Sequence, residues 1–313
     1  MPDRIAALLV FLLRIATALP WRVLDALAGA LAWLWQALDA REHWVARRNL
    51  ELIEPDRPPG ERALLARAVL RNTARQAIET LRIWTHPHAR NLALVGDVHG
   101  AEHLDVAIAA GRGVIVVAPH HGNWELLNQW LATRAPIAVL YRAPESALGE
   151  AFLRRVRRDA AGRVTPVRAD PTAIRALLRV LGGGGVVGIL PDQQPKAGDG
   201  VFVPFFGVPA LTMTLVGRLA ARTGAAVVLA WCERTGRDPR GAPRFAIHVE
   251  PADAALADTD PLVATGALNA AIERIARRDP AQYQWTYKRF TLRPPGSGDD
   301  NPYRDLERAH GRR

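Results

Sequence analysis

One stretch of the chain, residues 113–130, constrains the fold more than any other. It begins with a short β-branched run, 113–118, bounded by glycine and proline, and such a run is typical of a buried parallel strand. The sequence Pro-His-His-Gly-Asn-Trp-Glu follows, and Asn123 can cap the helix that starts at Trp124. His120 is therefore predicted to lie where a strand ends and a helix begins, which is where open α/β sheets bind ligands.

Glu125 falls in the first turn of that helix. An imidazole near a carboxylate can act as a general base, because the carboxylate selects the tautomer and stabilises the imidazolium. The same pattern also has a structural interpretation. The helix macrodipole favours Glu in a first turn whatever the function, and His120 and His121 can merely cap or hydrogen-bond a loop. The spacing alone leaves both interpretations open.

From residue 91 onward, strand-like and helix-like patterns alternate, which predicts an α/β fold with a mostly parallel central sheet flanked by helices. Further strands are predicted over 136–141, 164–167, 186–190, 225–231 and 244–250, with helices over 146–160, 171–181, 212–222 and 262–277. Residues 191–209 are predicted to form a long aromatic loop, and 282–290 a terminal packing segment. We predict three regions: a hydrophobic membrane anchor (1–50), the α/β domain (51–293) and a disordered basic tail (294–313).

Two apolar runs, 5–13 and 23–38, occupy the amino-terminal region. Neither reaches the roughly 18–20 uninterrupted apolar residues of a transmembrane helix. Tryptophans within the region and arginines directly after it suit a membrane boundary. The region is predicted to be a retained anchor, either one tilted span or two interfacial helices. The alternative is a hydrophobic hairpin folded onto the globular domain.

The chain of 313 residues carries a formal net charge of +10, nearly all of it from arginine. Such a charge indicates an anionic partner, which can be nucleic acid, a phospholipid surface or an acidic protein. We find no nucleic-acid recognition motif, and nucleic acid leaves the apolar amino terminus unexplained. Cys232 is the only cysteine, so an internal disulfide is excluded, and its apolar neighbours predict a packed core thiol.

Several ordered elements resemble the late acyltransferases of lipid A biosynthesis, within the wider lysophospholipid acyltransferase superfamily. They are the His120 and Glu125 pattern, Tyr141-Arg142, the 191–193 loop, the 203–207 element, the 282–290 segment and residues 47–50 after the hydrophobic amino terminus. The resemblance implies a glycerolipid acyltransferase-like fold and no cofactor. It implies acyl transfer from acyl-acyl carrier protein to a hydroxyl of a lipid A precursor, at the cytoplasmic face of the inner membrane of a Gram-negative bacterium.

The resemblance also implies roles for individual residues. His120 is expected to be the general base, because the family places four residues between the base and its acidic partner, here Glu125. Glu125 is expected to orient His120 and to stabilise its charge. Arg158 is the expected functional arginine, with Arg157 next. Asp192 matches an acidic residue that can fix an arginine or the histidine loop.

Substrate contacts are expected from Arg142 and Arg157, and from helix-start amides near Asn123, which can stabilise a thioester oxyanion. The aromatic residues of the predicted loop can line an acyl channel, although packed core aromatics are an equal alternative: Phe202, Phe205 and Phe206.

The chain contains no Gly-x-Ser-x-Gly sequence, which argues against an acyl-enzyme formed at a nucleophile elbow. Three other functions remain open. The acceptor can be another membrane lipid: a lysophospholipid, an ornithine-type lipid or a glycolipid. The protein can instead be a metal-dependent hydrolase using His120, His121 and Asp192, although these lack the usual ligand spacing. A non-catalytic membrane scaffold is the third possibility.

Overall fold

The computed structural model describes residues 2–157, 162–170 and 172–310, and a seven-stranded sheet forms its centre. In chain order the strands are β1 (Val95–His99), β2 (Val114–Val117), β3 (Ile137–Tyr141), β4 (Val164–Arg168), β5 (Val186–Ile189), β6 (Gly200–Phe205), β7 (Val208–Met213), β8 (Ala226–Arg237) and β9 (Pro243–Pro251). Their order across the sheet is β1-β9-β8-β2-β5-β3-β4, while β6 and β7 form a separate antiparallel hairpin. Only the pairing between β8 and β9 is antiparallel within the sheet. The predicted α/β fold with a mostly parallel sheet is confirmed.

The helices are α1 (Pro2–Ala16), α2 (Trp21–Ala37), α3 (Arg41–Ile53), α4 (Pro59–Thr85), α5 (His88–Leu92), α6 (Ala101–Ala109), α7 (Trp124–Arg134), α8 (Ala147–Val156), α9 (Ala173–Gly182), α10 (Leu215–Thr223), α11 (Pro261–Arg278) and α12 (Arg304–His310). They cover both faces of the sheet. Ile115 and Val117 of β2 pack towards the side of α3, α9, α10 and α11, whereas Val114 and Val116 pack towards α6 and α7. Since successive side chains of a strand point to opposite faces, β2 is buried from both sides, as its unbroken apolar run predicts.

The predicted loop 191–209 differs from the structure, because its second half forms β6 and the start of β7. The two strands join through Phe206 and Gly207, which both have positive φ (51° and 76°). A two-residue hairpin turn with positive φ at both positions is usually signalled by Asn-Gly or Asp-Gly. Phe206 is an unusual residue there, which is why the sequence pattern did not indicate a hairpin.

The carboxyl-terminal region also differs from the prediction. Tyr303 is fully buried and its hydroxyl donates a hydrogen bond to Asn49, and the side chain of Arg48 donates to the Pro302 carbonyl. The helix α12 follows directly. The predicted tail therefore contains a helix and contacts α3 within its described residues, 294–310. The predicted boundary at residue 50 falls inside α3.

The amino-terminal helices pack on the rest of the protein along one side only. Ala6 of α1 and Leu24, Ala28 and Ala32 of α2 are buried. Their other side exposes large apolar side chains: Ile5, Leu8, Leu9, Phe11, Leu12, Ile15, Leu19, Val23, Leu27, Trp33, Leu34 and Leu38. No single helix in the described ranges has the length and hydropathy to cross a membrane. The pair α1 and α2 meets those criteria only together, across a 108° bend.

A buried ion pair joins α4 to β8. Arg234 donates from Nε to Glu79 at 3.1 Å and from Nη1 to Asn72 at 2.9 Å, and both charged side chains are less than a tenth exposed. We expect Glu79→Ala to lower the free energy of unfolding by about 3–5 kcal/mol, because it leaves a buried guanidinium without a carboxylate. Glu250→Ala, which breaks the exposed pair with Arg274, is the control and should cost less than about 1 kcal/mol. Chemical denaturation measures both, and equal losses would contradict the assignment.

Candidate active site

Two neighbouring parallel strands bring His120 and Asp192 together. Val117 of β2 is in register with Ile189 of β5, and His120 and Asp192 each lie three positions beyond the end of their strand. The Nδ1 atom of His120 lies 2.7 Å from Oδ1 of Asp192, and the backbone N–H of His120 donates to Oδ2 at 2.8 Å. Because an ionised carboxylate only accepts hydrogen bonds, Nδ1 carries the proton. The lone pair of the neutral ring is then on Nε2.

The carboxylate of Asp192 is ionised although it is buried. Burial raises its pKa. The charge of His120 and the hydrogen bonds from the His120 ring and backbone lower the pKa, and together they outweigh the effect of burial. A hydrogen bond from Tyr283 acts in the same direction, so the pKa of Asp192 lies below its ordinary value. The His120 side chain is 13% exposed, against 3% for Asp192. The imidazole is therefore held at Nδ1 by the buried carboxylate, while part of the ring remains exposed to solvent.

Nε2 of His120 is covered by a side-chain amide. Nε2 of Gln193 lies 3.4 Å from the imidazole nitrogen and 3.3 Å from Oε1 of Gln284. The ring of Trp124 packs against the imidazole, with its centroid 4.7 Å away. A hydroxyl that approaches Nε2 must therefore displace the Gln193 amide. Gln193 is part of the 191–193 element of the resemblance, but the sequence assigned it no role.

Glu125 has a different partner from the one expected. Its buried carboxylate accepts a hydrogen bond from the guanidinium of Arg157, directly after α8. That guanidinium lies over the ring of Trp84 at 5.9 Å. The carboxylate that contacts His120 is that of Asp192. Among the described residues, no hydrogen bond or ion pair joins His120 to Glu125, in contrast to the expectation. The reason is tertiary, because Glu125 points to α8 and Asp192 comes from the adjacent strand.

Asn123 caps α7 as predicted, since its side chain accepts a hydrogen bond from the backbone N–H of Leu126 at 3.0 Å. The side chain of Asn123 is fully buried. The backbone N–H of Asn123 donates to Cys232, and that of Gly122 donates to Gln282. These two amides are therefore occupied and cannot serve as oxyanion donors without rearrangement.

The close approach of this loop to β8 requires glycine at position 122. Gly122 has a φ of +61°, and an added Cβ would lie 1.9 Å from the carbonyl oxygen of Cys232. No side chain fits that gap. The thiol of Cys232 is fully buried, which confirms the predicted core position, and burial raises its pKa.

The remaining predicted site residues fall into separate places. Arg142 follows β3 and is exposed at the same edge of the sheet. Phe202 is half-buried on β6, whereas Phe205 and Phe206 are buried in an aromatic cluster with Tyr283, Trp285 and Phe290, as the packing alternative expects. Arg158 lies outside the described residues. Within the described ranges, no three His, Cys, Asp or Glu side chains are grouped as a metal ion would need.

Comparison with known proteins places this geometry in a family. The model of the bacterial lipid A biosynthesis acyltransferase family matches residues 2–291. The chain belongs to this family. It is 28% identical to the lipid A biosynthesis palmitoleoyltransferase of Escherichia coli K12 over 278 residues, which cover 89% of this chain and 88% of that protein. It is 26% identical over the same length and coverage to the lauroyltransferase of that strain.

A different branch also matches. The phosphatidylinositol mannoside acyltransferase of Mycobacterium tuberculosis is 30% identical over 197 residues, or 61% of each chain. All of these relatives are acyltransferases. The protein is therefore an enzyme that transfers acyl groups, and the family resemblance drawn from the sequence is confirmed.

His121, next to His120 in the sequence, is fully buried without hydrogen-bond partners for its ring in the described chain, and this burial affects its pKa. Burial lowers the pKa of His121 from 6.5 to about 4. Between those pH values the unfolded chain binds a proton that the folded protein does not. Stability should therefore fall as the pH drops from 6.5 to 4, by about 3 kcal/mol in total.

We expect His121→Leu to remove this slope from unfolding free energies measured across that pH range. Replacing two unpaired buried nitrogens with an apolar group should not weaken the protein at pH 7. His103→Leu, at an exposed histidine, is the matched control and should leave the slope unchanged. An unaltered slope in His121→Leu would contradict the assignment.

Proposed function

We propose that the acyltransferase moves a fatty acyl chain from acyl-acyl carrier protein to a hydroxyl of a lipid A precursor, with His120 as general base. One observation carries the mechanism: Asp192 holds Nδ1–H of His120, so that the lone pair on Nε2 can accept a proton once the Gln193 amide is displaced. An alcohol has a pKa far above neutrality and must lose its proton as it attacks a thioester. The names of the relatives support the acceptor.

The proton path follows from this arrangement. The acceptor hydroxyl gives its proton to Nε2 of His120 while its oxygen attacks the thioester carbonyl. The tetrahedral intermediate collapses with cleavage of the carbon–sulfur bond, and the imidazolium returns the proton to the leaving thiolate. Asp192 stabilises the imidazolium through its contact with Nδ1 and remains a carboxylate throughout. This mechanism needs no serine nucleophile.

In the proposed mechanism Glu125 pairs with Arg157, and it does not form the expected dyad with His120. Its carboxylate fixes the Arg157 guanidinium, whose buried Nε has no partner in the described chain. The pair is adjacent to Trp124, whose ring contacts His120. We assign Arg157 to stabilisation of the thioester oxyanion, because a fixed cation in a partly buried site acts strongly on developing negative charge. Glu125 then acts as a positioning residue.

Cationic side chains surround the carboxyl edge of the sheet. Arg142, Arg168 and Lys196 follow or end β3, β4 and β5, and all three are exposed. Carrier proteins are acidic and lipid A precursors carry phosphates, so both substrates suit such an edge. We propose that this edge receives the two anionic substrates.

We further propose that the acyltransferase associates with the cytoplasmic face of the inner membrane through α1 and α2. The exposed apolar side chains of these two helices are far more numerous than those of any other pair of elements in the described chain. Exposed apolar faces of this extent mark interaction surfaces, and a lipid surface can cover all of it at once. The bend of 108° between the helices suits two segments lying along such a surface.

A glycolipid other than lipid A is the second candidate acceptor. The match to a phosphatidylinositol mannoside acyltransferase is the specific observation in its favour. Both acceptors are anionic glycolipids, so the chemistry at His120 is the same. The two candidates differ in the glycolipid that supplies the acceptor hydroxyl.

The donor, the acceptor and the base are tested together by incubating the purified enzyme with acyl carrier protein thioesters and lipid A precursors and measuring product mass. We expect a product heavier by one acyl group. His120→Ala and Asp192→Asn should each lower kcat by about 100-fold or more, since the first removes the base and the second the charge that stabilises it. Glu250→Ala, away from the site, should retain full activity.

Full activity in folded His120→Ala would exclude the general-base assignment. Transfer to phosphatidylinositol mannosides but not to lipid A precursors would favour the second acceptor. Transfer from acyl-coenzyme A but not from acyl carrier protein would contradict the proposed donor.

The membrane proposal is tested by co-flotation with vesicles of phosphatidylethanolamine and phosphatidylglycerol. The triple substitution Leu8→Asp, Phe11→Asp and Leu12→Asp should weaken binding at least tenfold, because each half-exposed side chain contributes about 1 kcal/mol when lipid covers it. Val106→Asp and Leu262→Asp replace exposed apolar residues elsewhere and should bind normally. Unchanged flotation of the triple variant would contradict the proposed surface.

A further inference from the structure

A small pocket adjoins Asp192 of the His120–Asp192 pair. Its lining comes from the chain directly after β5 and from the segment that closes the fold: Asp192, Gln193, Tyr283, Gln284, Trp285, Tyr287 and Arg289. The proposed mechanism uses only Asp192 of this set. A carboxylate that is fully enclosed needs donors on its remaining lone pairs and a compensating charge nearby. The other lining residues are the candidates.

Tyr283 supplies a donor. It is buried and lines the pocket beside Asp192, so its hydroxyl is placed to act as a donor towards that carboxylate. Its ring packs edge-on against Trp285, with centroids 4.6 Å apart, and its backbone pairs with His121 in an isolated bridge. The hydroxyl is therefore held in place by packing and by backbone pairing, independently of Asp192.

Arg289 supplies the charge. Its side chain is buried, and it donates from Nη1 to the Leu211 carbonyl at 2.6 Å and from Nη2 to the hydroxyl of Thr212. Neither partner is charged, and the described residues contain no ion pair to Arg289. Burial lowers the pKa of this guanidinium, while the charge of Asp192 is among the effects that raise it. A buried cation without a contacting carboxylate is destabilising unless an opposite charge acts on it through the low-dielectric interior.

We infer that Tyr283 and Arg289 are positioning residues for the acyl transfer: the tyrosine hydroxyl and the buried guanidinium together keep Asp192 as a fixed carboxylate against His120. This inference rests on the proposed role of His120. The imidazole contacts Asp192, Tyr283 and Arg289 line the same pocket as Asp192, and Arg289 is anchored to β7. Neither residue touches the imidazole itself, so each acts only through Asp192.

The groups that face this carboxylate come from three parts of the fold. His120 comes from the end of β2, and Tyr283, Tyr287 and Arg289 come from the closing segment. Arg142, after β3, acts on Tyr287. Burial raises the pKa of both tyrosines, so they stay neutral in the working range of the enzyme. Arg289 is then the buried positive charge in the pocket that adjoins the pair.

The test measures how readily the Asp192–His120 pair takes up a proton. Arg289→Met removes a positive charge, which favours proton uptake by the pair, so the acid limb of the kcat profile should move to higher pH by about half a unit or more. Arg289→Lys keeps the charge and should restore most of the wild-type position. Tyr283→Phe removes the hydroxyl placed towards the carboxylate and should shift the limb in the same direction while keeping the ring packing.

Tyr303→Phe is the matched control. It loses the same hydroxyl from an equally buried ring, but that hydroxyl contacts Asn49 and not Asp192. We expect it to lower stability without moving the acid limb. If Arg289→Met fails to fold, Tyr283→Phe against Tyr303→Phe decides the question. Variants at 283 and 289 that lose stability or rate equally at all pH values, with the limb unmoved, would overturn the inference.

Titration of the His120 ring followed by NMR, with its resonance assigned from His120→Gln, separates this inference from the proposed function because it needs no turnover. A rise in the titration midpoint in Arg289→Met and Tyr283→Phe supports the coupling. An unchanged midpoint in both variants overturns it. A raised midpoint together with full activity of His120→Ala would remove the general-base assignment and leave the coupling to Asp192 supported.

Discussion

The two oxygens of Asp192 organise the site, because one accepts from the His120 ring and the other from the His120 backbone. A single carboxylate therefore fixes the loop after β2 and the tautomer of the imidazole on that loop. This double contact depends on β2 and β5 being parallel neighbours in register, so that the two residues leave the sheet at the same edge. Any change in strand order would separate them. The sheet is thus a requirement of the chemistry as well as the source of the core.

The strand and helix around His120 were predictable because their signals are local: an apolar β-branched run, a proline, and an asparagine that caps α7. The partner of the imidazole was not predictable in this way. Glu125 is close in sequence, but a side chain in a first helical turn can point to several neighbours, and here the Arg157 guanidinium determines its direction. Asp192 is 72 positions away, and only the pairing of β2 with β5 brings it to His120. The β6–β7 hairpin and the helix α12 were missed for a similar reason, since Phe206 and Tyr303 have roles set by tertiary contacts.

The amino-terminal helices are connected to the site through α8. The helix α1 packs against α8, and Arg154 of α8 forms an ion pair with Asp3 of α1. Arg157, directly after α8, carries the contact to Glu125. The helix α8 therefore connects two proposed functional parts. It contacts the helix α1, whose apolar face is proposed to lie on lipid, and it ends at Arg157, whose guanidinium is proposed to act on the thioester. The orientation of α1 at a membrane surface would fix where the acyl donor must enter relative to His120.

The two adjacent histidines show that surroundings, more than residue type, determine what an imidazole does in this fold. His120 and His121 share a loop and a backbone, yet one ring has a carboxylate partner and an accessible nitrogen, while the other is enclosed and has no partner for either nitrogen in the described chain. The first has the arrangement of the proposed general base. The second stays neutral, because no contacting group compensates the cost of charging it in the interior. The neighbouring parallel strand distinguishes the two rings, because it brings a carboxylate to His120.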